Sequence, residues 1–283
     1  MSTISPNPEL SEEDALSYAR LREELGKHPR LVVAFSGGAD SALLAYAATA
    51  VLGPEQVLCA TAISPSLAED DRRETEVLAA EWGLRYHPVN TDELENPDYQ
   101  ANGLDRCYFC KAALMEALGP IAESESAAIA LGVNVDDLGD YRPGQTAARE
   151  AGAIFPLLDA GLTKVAVRSL SRALGLRTWD KPANACLSSR IPQGTPVTIG
   201  LLSKVDRAEQ RLRQLGFRQL RARHYGDTCR IELAEDELGH ALASRTEIVE
   251  QLRAVGYRYV TLDLEGLRSG NLVRTALEAV NRD

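Results

Sequence analysis

Apolar residues along this chain follow two rhythms, and the change near Thr195 divides it into unequal parts. In the first part, short continuous apolar runs alternate with longer amphipathic stretches. Leu31–Phe35 is one such run, ending at Ser36-Gly37-Gly38, and reads as a buried strand. Ala42–Leu52 reads as a helix closed by Gly53-Pro54. Val57–Ile63 is a second strand; Leu67–Trp82 is a helix with Leu67, Val77, Leu78 and Trp82 as apolar contacts and Gly83 as its stop. Leu84–Val89 forms a third strand, Cys107–Leu118 a helix and Ala127–Val133 a fourth strand, after a helical lead-in over residues 1–30. Strands alternating with helices predict parallel βαβ units, hence an α/β fold with a doubly wound parallel sheet.

Beyond Thr195 the period lengthens. Leu201, Leu202, Val205, Ala208, Leu212 and Leu215 form a stripe at helical spacing, stopped by Gly216. Strands at Gln219–His224 and Cys229–Leu233 flank a turn at Gly226-Asp227, followed by a helix over Glu237–Val255 and a strand at Tyr257–Leu262. This α-β-β-α-β order predicts a smaller C-terminal α+β domain. Pro192, Gly194 and Pro196 interrupt any regular element near Ser189–Pro196, so the expected domains are 1–190 and 191–283.

The 283 residues, 45% apolar and 25% charged, suit one large domain or a domain with a smaller partner. No apolar run reaches the ~18 residues of a membrane span. The start of the chain lacks a basic and apolar leader, so a cytoplasmic protein is expected. A net charge of −10 argues against a sequence-independent grip on nucleic acid, which draws on Lys and Arg neutralising phosphates. Within Ile199–Arg230, however, eight cations face three carboxylates. That local excess suits a small anionic ligand. Five cysteines (59, 107, 110, 186, 229) in a cytosolic chain are unsuited to a disulfide framework.

The strongest chemical signal is strand–Ser36-Gly37-Gly38-Ala39-Asp40-Ser41–helix. Two glycines let backbone N–H groups approach a phosphate, and the helix N-terminus adds its orphan donors and dipole. Ser36 and Ser41 can donate hydroxyl bonds, and Asp40 can hold Mg²⁺ against the phosphates. The Gly-Lys-Ser/Thr ending of a Walker A loop is absent. A glycine-rich turn without a ligand is the bland alternative. The order of residues resembles the PP-loop of the adenine nucleotide alpha hydrolase-like fold, found in GMP synthetase, NAD synthetase and tRNA thiolation enzymes, which implies an ATP pyrophosphatase domain.

Three further segments make the resemblance more specific. Gly132-Val133-Asn134-Val135-Asp136-Asp137 with Asp140-Tyr141-Arg142-Pro143-Gly144, then Lys181-Pro182-Ala183-Asn184-Ala185-Cys186-Leu187-Ser188-Ser189-Arg190, and Glu265-Gly266-Leu267-Arg268-Ser269-Gly270 are similar to the LarE family, over about Leu31 to Leu272. The resemblance implies an ATP-dependent sulfurtransferase. It would adenylate a carboxylate of pyridinium dicarboxylate mononucleotide and convert it to a thiocarboxylate for the nickel-pincer cofactor. A small-molecule mononucleotide substrate, sulfide or another sulfur donor, and a homo-oligomer (a hexamer in relatives) are implied as partners, with no nucleic acid or membrane.

The same resemblance gives Cys107, Cys110 and Cys186 the ligand role for a 4Fe-4S cluster. Thiolates are soft ligands suited to iron–sulfur clusters, and three of them leave one iron open for sulfide. A redox pair or half a zinc site at the CxxC stays open as an alternative. So do Cys186 as a sacrificial sulfur donor and buried bystander thiols. Cys59 and Cys229 read as small core side chains. For the substrate, Arg190, Arg221 and Arg223 are candidate oxyanion ligands, the last two leaving one face of a strand, with Ser189 and Glu209 as further candidates from the resemblance; solvated surface cations are the alternative. His224 is a ligand or a tip residue. Asp136, Asp137, Asp140 and Arg142 follow the fourth strand and are expected to face the ATP site, or to form a solvated loop. Lys111 reaches ATP phosphate or is a surface lysine. A tRNA thiolation enzyme, an amide-forming synthetase and a non-catalytic nucleotide-binding module are the rival functions.

Overall fold

The computed structural model describes residues 10–139, 143–182 and 185–268. Its elements are α1 (Glu12–Gly26), β1 (Leu31–Ala34), α2 (Ala39–Leu52), β2 (Val57–Ile63), α3 (Glu69–Trp82), β3 (Arg85–Asn90), α4 (Pro97–Gln100), α5 (Arg106–Glu125) and β4 (Ala128–Ala130). Then come α6 (Pro143–Glu150), α7 (Pro156–Asp159), α8 (Lys164–Ala173), α9 (Ile199–Gln214), β5 (Leu220–Tyr225), β6 (Thr228–Leu233), α10 (Leu238–Ala243), α11 (Arg245–Val255) and β7 (Tyr259–Leu262). The chain forms two compact units. One comprises Met1–Ser64, Asp71–Glu93 and Cys107–Pro182; the other comprises Pro65–Asp70, Leu94–Arg106 and Ala183–Asp283. Two early stretches thus join the C-terminal part, where the sequence suggests one cut after residue 190.

The first unit is built on a parallel sheet of order β3-β2-β1-β4. Alternate residues of β1 enter different cores. Leu31 and Val33 pack with Leu43, Ala47 and Leu78, whereas Val32 packs with Leu114 and Leu118. Both faces are therefore buried, which is why β1 reads as an unbroken apolar run. After Phe35 donates its N–H to the Ala60 carbonyl at 2.8 Å, the chain leaves the sheet. The Ser36–Ser41 loop consequently lies at the carboxyl end of an inner strand, with β2 on one side and β4 on the other, the usual place for a ligand in open α/β sheets. β4 is shorter than the expected Ala127–Val133. Its ladder passes to a bridge in which Leu131 N–H bonds the Ile154 carbonyl at 3.0 Å. Gly132 then runs against the start of α2, where a Cβ would stand 2.8 Å from the Ser41 nitrogen.

In the second unit, β5 and β6 form an antiparallel hairpin and β7 joins β6 in parallel. Leu202, Val205, Ala208 and Leu212 of α9 are fully buried, four of the six positions in the expected stripe. The helix expected over Glu237–Val255 is two helices, with Ser244 at the end of α10 and the start of α11. Strand β7 starts at Tyr259, because Tyr257 is instead packed in the unit's core. The stretch Ser189–Pro196 is not a loose linker. Asn102, buried in a left-handed conformation at φ 57°, donates Nδ2 to the carbonyls of Pro192 at 2.8 Å and Thr195 at 2.9 Å. Among the described residues no helix is long and apolar enough to cross a membrane.

Candidate functional site

The loop of the first unit runs into the N-terminus of α2. Gly38 occupies the cap position of α2 and contributes no side-chain hydrogen bond, so the first N–H groups of the helix keep their orphan character. Gly37 sits at φ 68°, and a Cβ there would come within 3.0 Å of the Thr75 methyl, so glycine is required twice over. The hydroxyls of Ser36 and Ser41 lie 3.0 Å apart, and Ser41 Oγ accepts from the Ser36 N–H at 3.2 Å. Half of the loop is thereby fixed before any ligand arrives.

Asp40 is positioned by two residues from distant elements. Asn134 Nδ2 donates to Oδ1 at 3.1 Å, and Lys164 Nζ to Oδ2 at 2.5 Å. Asn134 is held in turn by the acidic turn after β4. Its N–H bonds Asp137 Oδ2 at 3.0 Å, and its Oδ1 accepts from the Asp136 N–H at 3.0 Å. Asp136 Oδ2 accepts the Lys164 N–H at 2.7 Å, at the first residue of α8. Asp136 and Asp137 therefore brace the residues around Asp40; Asp140 and Arg142 lie outside the described residues. Lys181 also reaches the loop, donating to the Gly37 carbonyl at 3.2 Å and to Glu74 at 2.5 Å. Sequence reading assigned no role to Lys164 or to the Lys181 side chain. The only local signal for Lys164 is the Thr163 helix cap beside it.

Cys107 and Cys110 lie one turn apart at the start of α5, the first exposed and the second partly so, on neighbouring helical positions. The backbone of α6 rests on this turn. A Cβ on Gly144 would stand 2.9 Å from the Cys107 carbonyl oxygen and 3.4 Å from Lys111 Cβ. Tyr108 donates its hydroxyl to Glu150 at 2.6 Å, fastening the same contact. Cys186, in the second unit, is partly exposed and precedes the 3-10 turn Leu187–Arg190. Cys59 and Cys229 are buried in apolar cores, and burial pushes both thiols up to about 12. Among the described residues no group of three or more His, Cys, Asp or Glu is gathered to hold a metal ion.

In the second unit the candidate cations are buried. Arg190 is 2% exposed and donates Nε and Nη2 to Glu209 at 2.8 and 3.2 Å. Its Nη1 reaches the carbonyls of Ala185 at 2.5 Å and Cys186 at 3.2 Å, with Ser189 Oγ at 3.0 Å. Arg190 thus fastens the cysteine segment to α9. Arg223 chelates Glu232 Oε2 at 3.0 and 2.8 Å and donates to the Ser189 carbonyl at 2.7 Å. Arg221 differs. It is 8% exposed, donates Nη1 to the Arg268 carbonyl at 3.2 Å, and has no ion-paired carboxylate among the described residues. Burial, then the neighbouring Arg223 and Arg190 charges, lower its pKa. Glu232 and Glu209 pull the other way, so Arg221 is a buried cation among charges of both signs, without a carboxylate in hydrogen-bond contact among the described residues. His224 is buried against the Tyr257 hydroxyl, 3.3 Å away, and is not a strand-tip residue.

Comparison with known proteins gives one partial and three nearly full-length matches. The sequence pattern of the NAD synthase family matches residues 18–102, which include the loop and β1 to β3. The chain is 39% identical over 94% of its length to the pyridinium-3,5-bisthiocarboxylic acid mononucleotide synthase of Lactiplantibacillus plantarum, 96% of which is covered. It is 43% identical over 90% of its length to an uncharacterized protein of Synechocystis, again with 96% coverage. A Methanocaldococcus jannaschii protein, also uncharacterized, is 27% identical over 87% of the chain and is covered over 94% of its own length.

Proposed function

The chain belongs to the LarE family of ATP-dependent sulfur-insertion enzymes, and on that premise we propose that it converts a carboxylate of a pyridinium dicarboxylate mononucleotide into a thiocarboxylate. The observation that carries this reading is the Ser36–Ser41 loop, with its open α2 N-terminus and Asp40 fixed beside it. In this reading the substrate carboxylate oxygen attacks the α-phosphorus of ATP and pyrophosphate leaves, giving an acyl adenylate. The loop N–H groups stabilise the charge that develops on the α-phosphate, as preorganised donors do elsewhere. Sulfide sulfur then attacks the acyl carbon, the C–O bond to AMP breaks, and the thiocarboxylate is released. Asp40 is the residue suited to Mg²⁺, by its place at the start of α2. Arg221 supplies the fixed cation for the substrate's phosphate or second carboxylate. Arg190, Glu209 and Arg223 shape its surroundings, with Ser189 beside them.

For sulfur supply, the donor chemistry of Cys107, Cys110 and Cys186 suits a 4Fe-4S cluster. They are the thiols with access to solvent, and the other two are sealed in apolar cores. Such a group would supply sulfide held on an iron without a protein ligand. A homo-oligomer and a cytoplasmic setting belong to the same reading. The test is to give purified protein the mononucleotide, Mg-ATP and sulfide under anaerobic conditions, and to measure pyrophosphate, AMP and the oxygen-to-sulfur mass change. Pyrophosphate and thioacid formed together support the reading; AMP without thioacid overturns its sulfur-transfer half. Iron and sulfide analysis of the anaerobic protein decides the cluster. A colourless protein in which Cys186 loses the mass of H₂S after turnover replaces it with a sacrificial cysteine.

A further inference from the structure

We propose that Arg213 is a positioning residue for Cys186, closing a circuit of contacts that clamps the cysteine turn from two sides. The inference rests on the reading of Cys186 as a sulfur-handling residue and deepens it by naming what sets the thiol's place. One side of the clamp is direct. Leu187, the residue after the cysteine, donates its N–H to the Ser66 carbonyl at 2.9 Å. The other side runs through side chains. Asp70, at the second position of α3, accepts from Arg213 Nη1 at 3.1 Å, and Arg213 Nη2 donates to Glu209 Oε2 at 3.2 Å. Glu209 in turn holds Arg190, whose Nη1 reaches the carbonyls of Ala185 and Cys186. The stretch Ser66–Asp70 therefore grips the turn at Leu187 and, by way of α9, at Cys186 itself.

The charges make Arg213 the link on which this circuit depends. Glu209 is fully buried and already receives both Nε and Nη2 of Arg190, so its charge is met without Arg213. Asp70 is joined to α9 by the Arg213 guanidinium. Burial, then the charges of Asp70 and Glu209, raise the pKa of Asp206, two turns earlier on the same helix. Acidic groups from α3 and α9 thus gather around one guanidinium. With that cation removed, Asp70 faces Glu209 and Asp206 as like charges, which push the Ser66–Asp70 stretch away from α9. The Ser66 carbonyl moves with it, and the turn after Cys186 loses its direct hold.

The test is the rate at which iodoacetamide alkylates Cys186 in the full-length protein freed of iron, resolved from the other thiols by peptide mass spectrometry. Wild type is compared with Arg213→Met, Arg213→Lys, Asp70→Asn and the Arg213→Met/Asp70→Asn double variant. Loss of a partly exposed ion pair predicts that Arg213→Met and Asp70→Asn each speed alkylation about two- to fivefold. The double variant should be no faster than Arg213→Met, since both changes open the same link, and Arg213→Lys should recover part of the protection. In turnover of the anaerobic protein, both single variants are expected to form pyrophosphate at the wild-type rate and less thioacid per pyrophosphate. Unchanged Cys186 alkylation in both variants overturns the proposal. So does an effect of Arg213→Met that Asp70→Asn lacks, which would reduce Arg213 to a cation at the C-terminal end of α9. If wild type forms no thioacid, the sulfur reading beneath the proposal falls, while the alkylation rates still decide whether Arg213 positions the turn.

Discussion

Glu209 is the residue at which substrate binding and fold support make opposite forecasts. Its carboxylate is fully buried and accepts four hydrogen bonds, two from Arg190 at 2.8 and 3.2 Å, one from Arg213 at 3.2 Å and one from the Ala222 N–H at 3.1 Å. Removing one partner of a buried ion pair costs about 3–5 kcal/mol, because the other charge is left uncompensated. Stranding the Ala222 N–H adds about 1–3 kcal/mol. Against a typical total stability of about 5–15 kcal/mol, Glu209→Ala should leave the second unit marginal or unfolded. The assay is urea denaturation followed by circular dichroism, with hydrogen exchange at the Ala222 amide as the local report. Arg190→Met combined with Glu209→Leu removes both charges, and the pair should recover to within about 1–3 kcal/mol of wild type, the remaining deficit being the unbonded Ala222 N–H. If Glu209→Ala keeps the denaturation midpoint and the Ala222 protection while losing only substrate affinity, the carboxylate serves the ligand and the structural account of it is wrong.

Gly132→Ala places a Cβ 2.8 Å from the Ser41 nitrogen and 2.9 Å from the Asp40 carbonyl carbon, backbone atoms that yield only by moving the loop. It should lose about 1–3 kcal/mol of stability and bind ATP more weakly, both read by thermal melting with and without nucleotide. Arg221→Met should hold or raise stability, since it removes a buried cation without a paired carboxylate. It should also weaken binding of the mononucleotide by about tenfold or more; destabilisation without loss of affinity would refute that role. Burial, then Asp70 and Glu209, raises the Asp206 pKa to about 6, above the ordinary value of about 4. The folded protein therefore keeps a proton that the unfolded chain releases between those values, and ionisation in the folded state is a penalty. Relative to Asp206→Asn, wild-type stability should fall as pH rises from about 4 to about 6 and level off above it, measured by denaturation midpoints across that range.

The parallel sheet was legible because both faces of its inner strands β1 and β2 are buried. Leu31–Ala34 and Val57–Ile63 are strands at or within a residue of the positions their apolar runs indicate. The loop was legible because its chemistry is contiguous. What escaped were contacts made across long separations. Lys164 meets Asp40 from 124 residues away, and nothing near either residue encodes the meeting. Ser189–Pro196 read as a linker from its prolines and glycine. It is fixed by Asn102, about ninety residues earlier, whose left-handed backbone leaves no trace in hydrophobic periodicity. The fourth strand was overextended for a related reason. Its apolar run continues to Val133, but Gly132 has already turned to admit the α2 backbone.

The arginines show where alternation along a strand stops being informative. Arg221 and Arg223 leave the same face of β5, and by register Arg221 stands opposite Glu232 while Arg223 stands opposite Arg230. Facing a carboxylate, Arg221 ought to be the neutralised residue of the two. The contacts run the other way. Arg223 takes Nε and Nη2 to Glu232 Oε2, and Arg230 takes Oε1 at 2.9 Å. Glu209 is likewise shared by Arg190 and Arg213. Two buried carboxylates thus hold four guanidiniums in place, and the fifth, Arg221, is left with a backbone carbonyl. One member of the positive excess in Ile199–Arg230, Arg221, is therefore held buried without a paired carboxylate among the described residues. A positive charge kept dry, with its neighbours committed to other partners, attracts an incoming phosphate or carboxylate far more strongly than the same charge would on an open surface.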